Sequence, residues 1–231
     1  MFELLKDLWA YLSRPYLARI PAKIDQPYLL LARLVLICIV AGVTAGIISS
    51  ALVSYHLIPD PGPSLLENNE MSKLAFAGAA VLIAPVSEEL IFRAQLRRIG
   101  GHLFFISLII ATILVILTGT NWAYLITPFI LLPLHFAYRF NLCGSLTTKY
   151  TFWARIFPWH FHLTAICFAL VHLTNFEKGI SLLPFGLLYT LPQLSIGLVL
   201  GYARVNYGLK YSIAIHSLYN LTFVLLFLYK Q

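Results

Sequence analysis

Residues 74–97 read LAFAGAAVLIAPVSEELIFRAQLR. About 20 apolar residues cross the hydrocarbon of a bilayer as a helix, and this stretch is long enough to do so. It nevertheless carries Glu88, Glu89 and Arg93 near one end. Ionisable side chains are costly in hydrocarbon, so they usually face a cavity and act there. The stretch therefore predicts a membrane helix that carries part of a functional site.

The rest of the chain has the composition of a membrane protein. Hydrophobic residues make up 60% of its 231 residues and charged residues 11%, whereas a soluble domain has about 25% charged residues. We predict an all-α fold, a polytopic transmembrane helical bundle of about seven membrane helices, or eight. The seven predicted segments are 29–53, 74–97, 103–119, 122–140, 160–176, 182–203 and 211–229.

We expect two parts of unequal length along the chain. Within residues 1–28, apolar positions recur at three and four residues, which is typical of an amphipathic helix lying on the membrane. A short soluble helix packed against the bundle fits the same pattern. Residues 29–231 are predicted to form one transmembrane domain. It carries three motifs, at 85–98, 168–175 and 212–220, with an inserted helical hairpin at about 103–140.

Basic residues predict the orientation. The net charge is +7, and every lysine and arginine except Lys73, Lys178 and Lys230 falls on one side of the seven-segment arrangement. The positive-inside bias makes that side cytoplasmic, with the N-terminus on it. Orientation and anionic lipid headgroups explain these loops better than nucleic acid, which we do not expect as a partner. We expect an integral protein of a prokaryotic plasma membrane.

The first polar cluster combines two glutamates with an arginine. In a helix, Glu89 and Arg93 are four residues apart and share a face, in the favourable acid-first order. Glu88 is rotated from Glu89 by about 100° and points elsewhere. We therefore expect an internal ion pair between Glu89 and Arg93, with Glu88 facing a cavity. The same residues would also allow both glutamates merely to pair with arginines at the membrane edge.

Two further clusters have the four-residue spacing of one helical face. Phe168 precedes His172 by four residues, and His216 precedes Asn220 by four. An amide beside an imidazole can orient it or donate a hydrogen bond to an oxyanion. Each pair would equally suit hydrogen bonding to a neighbouring helix, which is common in membrane packing.

Taken together, the order Glu-Glu-x-x-x-Arg, Phe-x-x-x-His and His-x-x-x-Asn resembles the CPBP family. These are membrane-embedded CAAX endoproteases and bacteriocin-processing enzymes, also called the Abi family, and they are similar to type II CAAX prenyl endopeptidases. The resemblance implies Glu88 as the residue that activates water, surrounded by His172, His216 and Asn220. Glu89, Arg93 and Phe168 would be supporting residues. The chain departs from the family in placing the hairpin between the first two motifs.

The resemblance implies an intramembrane endopeptidase that acts on a membrane-associated or lipidated peptide or protein. Glu88, helped by His172, would take a proton from water, while His216 and Asn220 would stabilise the oxyanion. No cofactor is expected, although Glu88, His172 and His216 could hold zinc. Buried glutamate and histidine residues would also suit a non-catalytic membrane scaffold or chaperone-like partner, or an ion- or proton-coupled transporter.

Depth along the helices adds one expectation. If the fifth membrane helix starts at His160, His172 is about 18 Å from that end, and the three motifs can meet. If it starts near Phe152, the distance is about 30 Å, and the site should not assemble. We therefore expect residues 150–160 to lie along the membrane interface.

Overall fold

A computed structural model shows the protein as a bundle of helices. It describes residues 1–17, 24–65, 71–119, 127, 132–133, 136–138 and 144–230. The predicted all-α fold is confirmed. Within the described residues, four helices are long and apolar enough to cross a membrane, and a fifth span is added if one bent pair of helices is a single crossing. The predicted count of about seven spans is not confirmed.

The N-terminal helix α1 (Phe2–Ser13) has two apolar faces. Leu8 and Tyr11 are buried in the core of the bundle, while Phe2 and Trp9 are exposed. The helix therefore packs against the bundle through one face, and its position on the membrane surface stays a prediction. Its outward face has the large apolar side chains that suit the membrane interface.

Helix α2 (Pro27–Ser54) matches the first predicted span. It begins with Pro27, whose fixed φ and missing N–H suit the first turn of a helix. The loop that follows it pairs with the segment after the second motif. Leu65 N donates to Asn175 O at 2.8 Å, next to an isolated antiparallel bridge between Ser64 and Phe176.

Helix α3 (Lys73–Phe92) carries the first motif. Its turn at Ala79–Ile83 is a π-helix, which holds one extra residue and disturbs the hydrogen bonding of the turn. The helix ends earlier than the predicted 74–97, because residues Ala94–Arg97 form a tighter 3₁₀ turn. Glu88 and Glu89 thus lie close to the end of α3, and the α-helix ends just before Arg93.

Helix α4 (Gly101–Thr118) is the first half of the predicted hairpin. Only six residues of the second half, predicted at 122–140, are described, so that helix lies almost wholly outside the described residues. Residues 18–23, within the predicted 1–28 segment, also lie outside them. The division into 1–28 and 29–231 stays a prediction.

Helix α5 (Leu146–Val171) corrects the expectation for residues 150–160. Those residues lie in the same helix as the second motif, so the helix does not start at His160. His160 nevertheless hydrogen-bonds Gln95, just beyond the end of α3. The 14 residues that precede it extend about 21 Å past that level. The expectation that the helix starts at His160 was wrong, because the start of a helix need not coincide with the end of its neighbour.

A break divides the predicted 182–203 span. A 3₁₀ segment (Gly179–Phe185) and the short helix α6 (Gly186–Tyr189) lead into α7 (Leu191–Tyr207). Segments Ser181–Tyr189 and Leu191–Tyr207 meet at 59°, as in a broken span or a re-entrant loop. Helix α8 (Leu209–Lys230) then carries the third motif.

Two arginines hold the ends of α3 and α7 together. Arg204 of α7 donates from Nε to Arg93 O and from Nη2 to Ala94 O, both at 2.9 Å. Arg97 in turn donates from Nη1 to Val205 O at 2.6 Å. The last carbonyls of a helix have no partner within it, so these contacts satisfy both ends. They also fix the first motif relative to α7.

Candidate active site

The three motifs meet at one cavity. Its volume is about 870 Å³, and its wall includes side chains from α3, α5, α7 and α8. Glu88, His172, His216 and Asn220 all line it. These residues are the four that the sequence pattern singled out, and the fold brings them together from three helices. Their catalytic roles stay predictions.

Glu88 lies at the centre of this group. Its Oε2 atom is 4.0 Å from His172 Nε2 and 3.7 Å from His216 Nε2. These distances are too long for direct hydrogen bonds. The Oε2 atom is buried and receives no hydrogen bond from the described residues, although the carboxylate as a whole is 27% exposed. A buried acceptor therefore faces two imidazole nitrogens across a short gap.

His172 is held in one orientation by its own helix. It directly follows α5, and its Nδ1 atom lies 2.8 Å from Phe168 O. A carbonyl oxygen only accepts, so Nδ1 carries the hydrogen and donates it. The Phe168 ring packs edge-on against the imidazole at 4.8 Å. Nε2 is therefore the atom that His172 presents to Glu88.

His216 is held by a carboxylate from another helix. Its Nδ1 atom lies 3.1 Å from Glu89 Oε1, so the ring donates from Nδ1 and turns Nε2 towards Glu88. This pair was not expected from the sequence, which indicated only arginines as partners of Glu89. Glu89 and His216 are 127 residues apart, and no local pattern connects them.

Glu89 is completely buried and has three partners. Arg93 Nη1 lies 3.3 Å from Oε1, as expected from the four-residue spacing, and the Ser212 hydroxyl donates to Oε2. Together with the His216 ring, these groups compensate a charge that would otherwise be costly to bury. Ser212 was also missed. It precedes His216 by four residues on α8, and that spacing was a signal that could have identified it.

Arg93 links the carboxylate to the aromatic wall of the site. Its guanidinium lies over the Phe168 ring at 3.8 Å and donates to Gly197 O at 3.4 Å. A Cβ atom on Gly197 would meet Phe168 Cδ1 at 3.0 Å and Arg93 Nη2 at 3.1 Å. Glycine therefore allows α7 to approach the cluster closely.

Asn220 donates a hydrogen bond to a carbonyl of the π-turn that has no backbone donor. In that turn the N–H of Ala84 donates to Ala79 O, five residues back. The next carbonyl in this register, Ala80 O, would pair with Pro85, which has no N–H. Asn220 Nδ2 supplies the missing donor at 2.8 Å. One hydrogen of its amide is thus engaged, and the second is still available within the cavity.

The described residues contain no group of three His, Cys, Asp or Glu side chains arranged to hold a metal ion. Cys38 and Cys167 are free thiols and lie outside the cavity wall. The four residues singled out from the sequence supply a carboxylate, two imidazoles and an amide to the cavity. This combination suits general acid–base catalysis on a solvent molecule.

A comparison with known protein families finds a match. The family model described as type II CAAX prenyl endopeptidase Rce1-like matches residues 70–222. The match covers more than half of the chain and all three motifs, and the chain belongs to this family of membrane proteases. The membrane helices and the family together make it an integral membrane protein. Comparisons with curated proteins and with solved structures return no match.

Proposed function

We propose that the protein is an intramembrane endopeptidase that hydrolyses a peptide bond of a membrane-associated or lipidated protein through a water molecule activated by Glu88. The observation that carries the proposal is the convergence of Glu88 Oε2 with the Nε2 atoms of His172 and His216, at 4.0 and 3.7 Å. The family supports peptide hydrolysis, and the geometry supports this particular catalyst.

The hydrogen-bond pattern favours water at the centre of the group. Both imidazoles donate from Nδ1, to Phe168 O and to Glu89 Oε1. When the rings are neutral, each Nε2 is an acceptor, and Glu88 Oε2 is a third. Three acceptors cannot satisfy one another, but a water molecule among them can donate two hydrogens. Its oxygen is then activated for attack on a carbonyl.

The chemical steps follow from these roles. Glu88, helped by His172, takes a proton from water as the oxygen adds to the scissile carbonyl carbon. The second hydrogen of the Asn220 amide would stabilise the oxyanion, and so would His216 once its Nε2 atom has taken up a proton from solvent. Glu88 then transfers its proton to the leaving amine as the C–N bond breaks. Water has been divided between the two products, and the carboxylate is regenerated.

Glu89 supports the charge that His216 would carry. It accepts the Nδ1 hydrogen and keeps the ring turned towards Glu88. A carboxylate in this position stabilises an imidazolium, as in other catalytic acid–histidine pairs. Arg93 offsets the negative charge of Glu89 while the imidazole is neutral. Glu89 and Arg93 are thus positioning residues and do not touch the substrate.

The cavity wall fits an apolar or lipid-modified substrate. Beyond the polar group, it includes Phe76, Phe223, Val224 and Phe227. These side chains come from α3 and α8, which are long and apolar enough to lie in the membrane. Lipidated C-terminal peptides match both the wall and the family description. The basic loops support a cytoplasmic N-terminus.

The test uses purified protein in proteoliposomes of phosphatidylcholine and phosphatidylglycerol. The probe is a fluorogenic peptide that ends in a farnesylated Cys-a-a-X sequence, with an unprenylated version alongside it. We expect the native protein to cleave the farnesylated probe and Glu88→Gln to be inactive with an unchanged melting temperature. Glu3→Gln, a change in the exposed first turn of α1, is the matched control. Equal cleavage by native and Glu88→Gln protein would contradict the proposal.

A further inference from the structure

Two buried acceptor atoms in the cavity receive no hydrogen bond from the described residues. One is Glu88 Oε2, and the other is the amide oxygen of Gln193, on the first turn of α7. Neither of these two atoms can satisfy the other, because both are acceptors. A buried acceptor without a donor destabilises the folded state. A ligand that donates a hydrogen bond would therefore be favourable at Gln193 as well as at Glu88.

The register of α5 and α7 gives the depth of Gln193. A Cβ on Gly201 would meet the Phe161 ring, and one on Gly197 would meet the Phe168 ring. Residue numbers rise along α5 as they fall along α7, so the two helices are antiparallel. Gln193 lies one turn, about 6 Å, beyond Gly197, and His172 lies one turn beyond Phe168. The amide is therefore level with the imidazole that faces Glu88.

Three other polar residues of the cavity wall form hydrogen bonds with the backbone. Asn220 donates to Ala80 O, Ser87 donates to backbone carbonyls of its own helix, and Thr174 donates to Val171 O. The next cavity residue on α7, one turn from Gln193, is the apolar Ile196. The amide oxygen of Gln193 thus receives no hydrogen bond from the described residues, and it lies at the level of the proposed reaction.

We infer that Gln193 is a substrate-binding residue whose amide oxygen accepts a hydrogen bond from a backbone N–H of the bound peptide, close to the bond that is cut. This inference rests on the proposed function. A peptide in extended conformation presents an N–H on each side of the scissile carbonyl. A hydrogen bond to one of them aligns that carbonyl with the water held by Glu88. The chemical class recognised is a secondary amide.

The experiment compares three variants on the farnesylated probe. Gln193→Met preserves the side-chain length but removes the acceptor, and Gln193→Glu retains an oxygen acceptor. Ser195→Ala is the control on the same helix, because the Ser195 hydroxyl donates to Pro192 O and lies outside the cavity wall. We expect Gln193→Met to lower kcat/KM by about 3- to 10-fold, as for one neutral hydrogen bond. Gln193→Glu should lose less than Gln193→Met, and Ser195→Ala should match the native protein.

A set of ester analogues identifies the bond itself. In each analogue, one backbone N–H flanking the cleavage site is replaced by an ester oxygen. We expect the native protein to cleave one analogue less well, and Gln193→Met to show no further loss on that analogue. If the loss caused by Gln193→Met multiplies the loss caused by the ester substitution in every analogue, the inference is overturned. Gln193 would then not bind any of the N–H groups that were replaced. Equal kinetics for Gln193→Met and Ser195→Ala would overturn it as well, and would indicate that water alone occupies the amide.

A structural role is distinguished by stability. Removing an unsatisfied acceptor should leave the melting temperature in detergent unchanged or raise it. A clear drop for Gln193→Met would show that the fold uses the amide, and the inference would be wrong. Cleavage that depends on Glu88 but not on Gln193 overturns this inference alone. If cleavage does not depend on Glu88, the proposed function fails, and this inference fails with it.

Discussion

The Nδ1 atom of His216 lies 3.1 Å from Oε1 of Glu89, and both side chains are buried. The contact joins the first motif to the third across 127 residues of chain. It determines which nitrogen of His216 faces the cavity, because the hydrogen on Nδ1 is donated to the carboxylate. The second of the two adjacent glutamates therefore orients the His216 ring, while the first faces the cavity.

The first prediction concerns the charge of Glu89. Glu89→Gln removes the negative charge that pairs with the buried Arg93 and that accepts the Nδ1 hydrogen of His216. We expect the protein to lose about 3–5 kcal/mol of stability, as when one member of a buried ion pair is removed. Cleavage should fall by about 10²-fold or more, since a preorganised group is lost. Thermal unfolding in detergent and the proteoliposome assay measure the two effects.

Glu177→Gln is the matched control for that change. Glu177 is exposed, and it is not part of the ion pairs found among the described residues. Its stability and activity should stay close to those of the native protein. A Glu89→Gln protein as stable and as active as this control would contradict the orienting role of Glu89.

The local relations within each motif could be predicted from the sequence, because a helix determines which residues share a face. The contact between Glu89 and Arg93 follows from a four-residue spacing alone. The pairing of Phe168 with His172 follows in the same way. The distant contacts could not be predicted, because they depend on how helices are rotated against one another. Glu89 with His216 is one example, and Asn220 with Ala80 is another.

The extent of the spans was the least predictable feature of the fold. Hydropathy marks the apolar part of α5, but the helix continues before His160 because Trp153 and Phe157 pack in the core of the bundle. The 59° break between α6 and α7 was missed because Pro192 is equally suited to the first turn of a new helix and to a kink. Tertiary packing decided both outcomes.

The second prediction distinguishes the structural role of Asn220 from its proposed catalytic role. Asn220→Ala leaves Ala80 O without its donor and should destabilise the protein by about 1–3 kcal/mol. Replacing Pro85 by alanine supplies an N–H in register with that carbonyl. The double variant Pro85→Ala/Asn220→Ala should therefore be more stable than the sum of the single effects implies. Thermal unfolding of the four proteins in the cycle tests this.

The same cycle also tests oxyanion stabilisation. If Asn220 donates its second amide hydrogen to the oxyanion, the double variant regains stability but not activity. We expect kcat to stay lower by about 10²–10³-fold. Recovery of both stability and kcat would show that Asn220 acts only by satisfying the π-turn.

The third prediction concerns metal ions. The proposed mechanism needs only the carboxylate of Glu88 and the side chains around it, so strong chelators should leave cleavage unchanged. The assay is repeated after dialysis against EDTA and 1,10-phenanthroline, with Glu88→Gln as the inactive reference. Loss of cleavage after dialysis, and its return on adding zinc, would instead assign Glu88, His172 and His216 as zinc ligands.

The fourth prediction compares two helical glycines. A Cβ on Gly197 would meet Phe168 Cδ1 at 3.0 Å and Arg93 Nη2 at 3.1 Å, whereas one on Gly46 of α2 would meet only Pro192 Cγ, at an ordinary 3.8 Å. Gly197→Ala should cost about 1–3 kcal/mol, as overpacking does. Gly46→Ala should instead stabilise the protein by about 0.5–1 kcal/mol, because alanine loses less conformational freedom in a helix.

The activity of the two glycine variants tests whether the support of the site matters to the reaction. Gly197→Ala displaces Phe168 and Arg93, which in turn hold His172 and Glu89. Its kcat should therefore fall even where the protein is fully folded, and Gly46→Ala should retain native kcat. If Gly197→Ala lowers only the melting temperature and cleaves at the native rate below it, the contact between Arg93 and Phe168 serves packing and does not position the catalytic groups.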